Sequence, residues 1–376
     1  MEQILKPASP EELADSLRAA AEAGRSIRIE GASSKTGMAG AVPKADAVVS
    51  TSALNRVLEY DPRDLTISVE AGLPWADLTQ LLAKDGQMIP VDPPFSDRAT
   101  VGGVIAANTS GPRRRLYGSV RDMVIGMKFA TLEGKVVQSG GMVVKNVAGL
   151  DMAKLMIGSF GTLAAVAVVN FKLTPVPRAT RSFMMRFQNA KEAIKARDSI
   201  LAGVLQPTAI DVLNDAAAKR LGSRGFVLLV QAAGVPEVLD RYARELPGEV
   251  NPVEGELETR LWTSIREYTP QFLREYPRGI VTRVSTTLSG LGHVLEMHPG
   301  PVLARAANGV AYVYSAEPRP LNANGLRWAV EFAPDDLKAN LELWPGPGSE
   351  FEVMKKIKAL FDPNGLLNRG RLYGRI

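Results

Sequence analysis

Four glycine-rich segments in the first half of the chain are where its residue types most plainly permit chemistry. The loop 31–37 (Gly-Ala-Ser-Ser-Lys-Thr-Gly) strings consecutive backbone N–H groups, free of bulky side chains, beside hydroxyls and one ammonium. Such a concavity can bind a phosphate. The run 100–108 (Thr-Val-Gly-Gly-Val-Ile-Ala-Ala-Asn) reads as a short helix of residues with little bulk, whose first turn offers unpaired N–H groups and partial positive charge. Taken singly, each is as readily an ordinary turn or helix start. Two further turns, 139–142 and 158–162, fall in the same half, and the four together point to a long ligand carrying a pyrophosphate. The standard nucleotide fingerprints do not fit. No G-x-G-x-x-G follows a strand, and Ser34 precedes Lys35 where the G-x-x-x-x-G-K-[ST] spacing requires glycine.

In the second half, Arg283 lies on an apolar strand pattern at 279–287 and is the cation best suited to grip a small carboxylate through two parallel hydrogen bonds; a structural ion pair is its competing reading. No residue stands out as a general base. The two histidines, His293 and His298, are five residues apart, a separation that puts them on different faces of a helix or strand and argues against shared metal ligation. Lys145-Asn146, beside a glycine turn, is divided between a ligand contact and an ordinary polar turn.

Composition narrows the classes. The 376 residues contain no cysteine, which rules out disulfides, thiolate zinc sites, cysteine nucleophiles, Cys-ligated iron–sulfur clusters and a cysteinyl cofactor link. Lys and Arg total 45 against 40 Asp and Glu, a net +5, and Arg113-Arg114-Arg115 is the only cationic triplet. It reads as a solvated loop or a phosphate clamp for a small ligand, and no nucleic-acid partner is expected. The start MEQILKPASP lacks a basic n-region and an apolar h-region, so a cytoplasmic protein is expected. The apolar stretch 155–171 is short for a membrane span and interrupted by Gly158 and Gly161.

The elements that must carry these residues alternate from the start. Ser9-Pro10-Glu11-Glu12 is a capping box with proline at the first helical position, Leu13 and Leu17 share a face, and Gly24 closes the helix. Strands are expected at 26–30 and 65–70, a helix over 74–85, and a buried strand over 163–173 that ends at Thr174-Pro175-Val176-Pro177. A domain boundary is placed near Pro177. Beyond it, helices are expected at 191–201 and 235–246 and strands at 226–231, 281–287, 310–314 and 327–332. A capping box at Ser349 and Glu352 starts a final helix through Phe361, before a turn-rich tail.

Several runs resemble one family. Gly31 to Gly37, Leu54-Asn55-Arg56-Val57-Leu58-Glu59, 65–72, Thr100-Val101-Gly102-Gly103, 117–122, 144–151, 158–163 and 361–368 are similar to FAD-binding domains of the vanillyl-alcohol oxidase and p-cresol methylhydroxylase (PCMH) type, most of all to the FAD-binding subunits of bacterial glycolate oxidases. The resemblance covers residues 1–178 strongly and 340–376 clearly. It implies an α+β fold: a two-subdomain PCMH-type FAD-binding domain (1–178), a second α+β, ferredoxin-like cap domain (179–340), and a C-terminal segment (341–376) that returns to the FAD domain.

Carried over residue by residue, the resemblance implies that Gly31, Ala32, Ser33, Ser34, Lys35 and Thr36 wrap the FAD pyrophosphate, and that Pro93, Pro94, Thr100, Gly102 and Gly103 line the diphosphate and ribityl side. Ser110, Gly111, Tyr117 and Gly118 border the flavin, Gly161, Thr162 and Val166 hold the adenine end, and Asn368 approaches the isoalloxazine from the second domain. With no cysteine and no histidine in the first half, the FAD is expected to be noncovalent. The implied function is a subunit of a glycolate oxidase or dehydrogenase complex acting on small 2-hydroxy acids, with a second FAD-containing subunit and an iron–sulfur subunit as partners, cytoplasmic or held at the inner membrane through them. The metal-holding histidine segment of the catalytic partner is not matched at 292–299. A stand-alone D-2-hydroxy-acid dehydrogenase and a flavin-free scaffold are the alternatives.

Overall fold

The computed structural model describes residues 2–143, 150–319, 321 and 325–376. They form two compact units, each with its own sheets and core. The first comprises 1–110, 118–176 and 346–376; the second comprises 111–117 and 177–345.

In the first unit the helix Pro10–Glu22 starts as its sequence dictates. Ser9 accepts from Glu12 N at the N-cap, Pro10 needs no donor, and Gly24 takes the left-handed φ of +63° just beyond the end. Its buried face, Leu13, Ala14 and Leu17, packs with Ala47 and Val49 of a three-stranded parallel sheet (Gln3–Leu5, Ala47–Ser50, Ile27–Glu30). Ala130, Ala165 and Ala167 from one face of a five-stranded antiparallel sheet complete that core. The opposite face of this sheet carries Ile67, Val69, Met127, Phe129, Val169 and Phe171 against Trp75, Leu78 and Leu82 of the helix Trp75–Lys84. The strand Ala165–Lys172 is central, antiparallel to both Thr66–Glu70 and Val124–Ala130. Its apolar run 165–169 is buried at every position, which reflects cover on both faces.

The second unit is built on one eight-stranded sheet whose assigned pairings are all antiparallel. One face buries Phe183, Met185, Val212, Leu228, Val230, Val284 and Val313 with the helices Ala190–Ala202, Pro236–Glu245 and Leu291–Glu296. The other face is polar in places. Ser182 and Thr180 bond the buried Glu258 of the helix Gly255–Arg266, and Trp262 donates to Ser182 Oγ at 2.7 Å.

The final helix Glu350–Phe361 forms, but not by the expected capping box. Ser349 sits in helical conformation with no side-chain cap, and Glu352 N bonds the Ser349 carbonyl instead. Among the described residues, no helix is long and apolar enough to cross a membrane.

Candidate functional site

In the first unit, the strand Ile27–Glu30 delivers the loop 31–36 into a cleft of about 120 Å³. Opposite stands the helix Val101–Ala107, capped by Thr100 Oγ1, which accepts from Gly103 N. The lining includes Gly31, Ala32, Ser33, Ser34, Lys35 and Thr36, with Thr100, Gly103 and Asn368. Eight residues that the resemblance puts along the FAD diphosphate and ribityl side thus line one cleft, together with Asn368, which it puts at the isoalloxazine. Phe160, Ala106, Ala107, Arg28 and Arg371 also line it, and the sequence reading had assigned none of them.

The cleft is shaped for backbone contact. A Cβ on Gly31 would stand 2.4 Å from Thr100 Oγ1, so this glycine is required by the helix start facing it. Three non-glycine lining residues, Ser33, Phe160 and Asn368, hold left-handed φ values of 53°, 52° and 44°. Such conformations persist only where the surroundings impose them, and they gather at binding sites. Here the imposing contacts are visible: Phe160 N donates to the Ala106 carbonyl at 3.0 Å, while the Asn368 amide donates to the Phe160 carbonyl at 2.7 Å and accepts from Ile29 N at 2.8 Å. Small residues, exposed main chain, a helix start and a buried lysine (Lys35) suit the pyrophosphate of a dinucleotide.

Asn368 lines the cleft from within the first unit, its side-chain amide committed to Ile29 and Phe160, which corrects its assignment to an approach from the second domain. Other expected positions do not line this cleft. Gly102 is tight for another reason: an added Cβ would meet Ala71 at 3.0 Å, so a bulky replacement there disturbs packing whatever the flavin does. Gly161 N donates to Ser159 Oγ, Thr162 donates to Ser159 and accepts from Lys358, and Val166 is core in the strand Ala165–Lys172. Ser110 Oγ accepts from Val120 N, and its carbonyl accepts from Asp92 N just before Pro93 and Pro94. Gly118, at φ +89°, leaves room for Asp122, the partner of the Ser119 cap. Gly111 and Tyr117 fall in the second unit. Lys145-Asn146 lies outside the described residues.

The second unit holds a separate charged cluster on the polar face of its sheet. Arg283 stands opposite Tyr312 on one neighbouring strand and Ala329 on the other, with Glu331 two residues on. Arg305, opposite Asp211, pairs with that fully buried carboxylate, and its guanidinium lies 5.8 Å from the Tyr312 ring centre. Burial pushes the Glu331 carboxyl above its usual range against the pull of Arg283 and Arg305, and burial pushes the Tyr312 phenol up to about 12. Of the cationic triplet, Arg115 donates to Gln206 at 3.1 Å and Arg114 contributes its charge at Tyr312. His298 bonds Ser315 and Gly300, while His293 sits in the helix Leu291–Glu296. Among the described residues, no group of three or more His, Asp or Glu could hold a metal.

A family model described as an FAD binding domain matches residues 1–140, and one for the C-terminal domain of FAD linked oxidases matches 347–372. The glycolate oxidase subunit GlcE of Escherichia coli K12 is 32% identical, with 85% of each chain covered. The glycolate oxidase subunit GlcD of Bacillus subtilis is 30% identical over 50% of this chain and 42% of its own length. A D-lactate dehydrogenase of Anaerostipes hadrus is 29% identical over 56% of this chain and 44% of its own. Among solved structures, 4-ethylphenol oxidase from Gulosibacter chungangensis superposes with a TM-score of 0.72 at 15% identity, covering 99% of this chain and 89% of that one. That last likeness is one of fold.

Proposed function

We propose, because this chain belongs to the FAD-linked oxidase family that includes the glycolate oxidase subunit GlcE, that it is a noncovalent FAD-binding subunit of an oxidoreductase acting on the CH–OH group of small 2-hydroxy acids, glycolate to glyoxylate among them. The observation that carries the reading is the cleft between the loop 31–36 and the helix Val101–Ala107. In it, the backbone of 31–36 and Gly103 would hold the pyrophosphate, and Lys35 would lie beside its charge. Bound there, FAD would supply a two-electron acceptor for oxidation of the alcohol carbon. Arg283 would hold the substrate carboxylate. With no cysteine to ligate a cluster of its own, the chain would hand electrons to other subunits, a second flavoprotein and an iron–sulfur protein.

The first test is optical. The purified protein is expected to show flavin absorption bands, and acid precipitation is expected to leave the yellow colour in the supernatant. Colour that stays with the pellet would overturn noncovalent binding, and a folded, colourless chain that takes up no added FAD would overturn the cofactor reading. A second reading, a stand-alone 2-hydroxy-acid dehydrogenase, is favoured by the Arg283 and Glu331 cluster, which gives this chain acid–base groups of its own. Bleaching of the isolated holoprotein by glycolate or D-lactate, with no partner present, would decide for it.

A further inference from the structure

A second cavity of about 160 Å³ lies in the first unit, walled by the start of the strand Ile27–Glu30, the loop 42–45 and the tail 366–371. It shares Arg28, Val42, Asn368 and Arg371 with the cofactor cleft. Four cationic side chains line it, Arg28, Lys44, Arg369 and Arg371, and no carboxylate does. Two of the four are engaged. Arg28 pairs with both carboxylate oxygens of Glu2, at 2.9 and 3.3 Å, and the Arg371 guanidinium donates to the carbonyls of Lys35, Thr36, Met38 and Gly40. Lys44 and Arg369 differ. Among the described residues Lys44 makes no ion pair or side-chain hydrogen bond, and Arg369 donates only through Nε, to the Gly365 carbonyl. Asp46, beside the lining, accepts from Ser26 N and Oγ at 2.9 and 2.7 Å; these bonds hold its carboxyl below the usual range, with Arg25 and Arg369 adding at longer range. A concave wall of one sign concentrates its field in the cavity.

We propose that this cavity is a site for a phosphate group, free or carried on a small organic body, held between Lys44 and Arg369. The two cations come from different walls, the loop 42–45 and the tail 366–371, so a ligand that joins them must present oxygens in more than one direction. A tetrahedral phosphate does this and a planar carboxylate does not. The guanidinium fork of Arg369 can take two oxygens, and the ammonium of Lys44, a point charge on a flexible stem, a third. The site rests on the cavity and on these two cations; only its coupling to FAD uses the functional reading above. Asn368 and Arg371 belong to both walls. A phosphate that steadies the tail here therefore steadies the cofactor cleft, and the coupling is reciprocal: each ligand tightens the other by the same factor.

Inorganic phosphate is the probe, titrated calorimetrically into the holoprotein at constant ionic strength, beside acetate and glycerol 3-phosphate. Phosphate is expected to bind at least about tenfold more tightly than acetate, and Lys44→Met and Arg369→Met each to weaken it by about tenfold or more, as for the loss of a charge-assisted hydrogen bond. Both side chains are exposed, so neither replacement is expected to change the melting temperature or the flavin-to-protein ratio. Tighter binding of glycerol 3-phosphate assigns the site to an esterified phosphate, and equal or weaker binding assigns it to the free ion. Saturating phosphate is expected to slow the loss of FAD by about fivefold or more in the parent and not in the variants; an unchanged rate in the parent would overturn the coupling and leave the site. Phosphate that binds both variants like the parent, that binds no better than acetate, or that does not bind once FAD fills its cleft would overturn the site. In a protein that takes up no FAD, phosphate binding that both replacements abolish would uphold the site while the functional reading fell.

Discussion

Replacing Asp362 by alanine is expected to destabilise the first unit by about 3–5 kcal/mol and to strip the flavin from the purified protein, because it breaks a buried ion pair from one side only. The Asp362 side chain is wholly buried and Lys358 is 14% exposed. The carboxylate accepts from Lys358 Nζ at 2.6 Å and from the backbone N–H groups of Leu366 and Leu367, both at 2.8 Å. The same ammonium donates to the carbonyls of Thr162 and Leu367 at 2.7 and 3.0 Å. Burial already lowers the proton affinity of Lys358, with Asp362 opposing it. These contacts start the tail on its path beside the strand Ile27–Glu30, where Ile27 N donates to Leu366 and Asn368 N to Ile27. Loosening it releases Asn368 and Arg371 from the cleft lining. The double variant Asp362→Leu with Lys358→Met is expected to be less damaged than Asp362→Ala alone, since it leaves no uncompensated charge. Thermal melts and the flavin-to-protein ratio measure both effects, and an Asp362→Ala protein that melts like the parent with full flavin would refute the account.

That pair also marks the boundary of what a linear reading can deliver. The capped first helix, the strand 65–70, the helix 74–85 and the short glycine-rich helix at 101–107 were legible because their signals are local: a cap, a period, a terminating glycine. The loop 31–36 was legible for the same reason, since small residues in succession announce exposed backbone. Arg371 and Phe160 were not. Each reaches the loop 31–36 across more than 120 residues of chain, and nothing in Phe-Gly-Thr or Arg-Gly-Arg says which loop it will meet. The basic residues after Leu367, Arg369, Arg371 and Arg375, are the available hint, and they sit in a tail that the sequence marks only as turn-rich.

Glu331 shows the same limit within a strand. In Trp-Ala-Val-Glu-Phe, a glutamate alternating with apolar neighbours reads as the solvent face of a half-buried strand. What turns it inward is pairing: Ala329 stands opposite Arg283, and Glu331, two residues on and left unpaired at the register shift between Val281 and Thr282, follows it onto the same face. Register between strands 45 residues apart is a property of the assembled sheet, so a base candidate that the sequence could not nominate emerges only from the fold.

Arg371 gives the sharpest division between charge and geometry at the cofactor cleft. Its guanidinium donates to the carbonyls of Met38 at 2.8 Å, Thr36 at 3.2 Å and Lys35 at 3.3 Å, and its own carbonyl accepts from Gly40 N at 3.1 Å. One planar fork at the cleft wall therefore ties down the carbonyls of Lys35, Thr36, Met38 and Gly40 and fixes the path of the loop. Arg371→Met is expected to weaken FAD binding by about tenfold to a hundredfold, the equivalent of one or two charge-assisted hydrogen bonds, as followed by fluorescence when apoprotein is titrated with FAD. Arg371→Lys separates the two roles. If the residue served as a cation for the phosphates, lysine would restore most of the affinity; if it serves to gather four carbonyls at fixed angles, a single ammonium on a flexible stem cannot replace it. The contacts point to the second outcome, because the donors are already spent on backbone oxygens. Affinity restored by Arg371→Lys would show that the loop keeps its shape unaided and that the tail contributes charge alone.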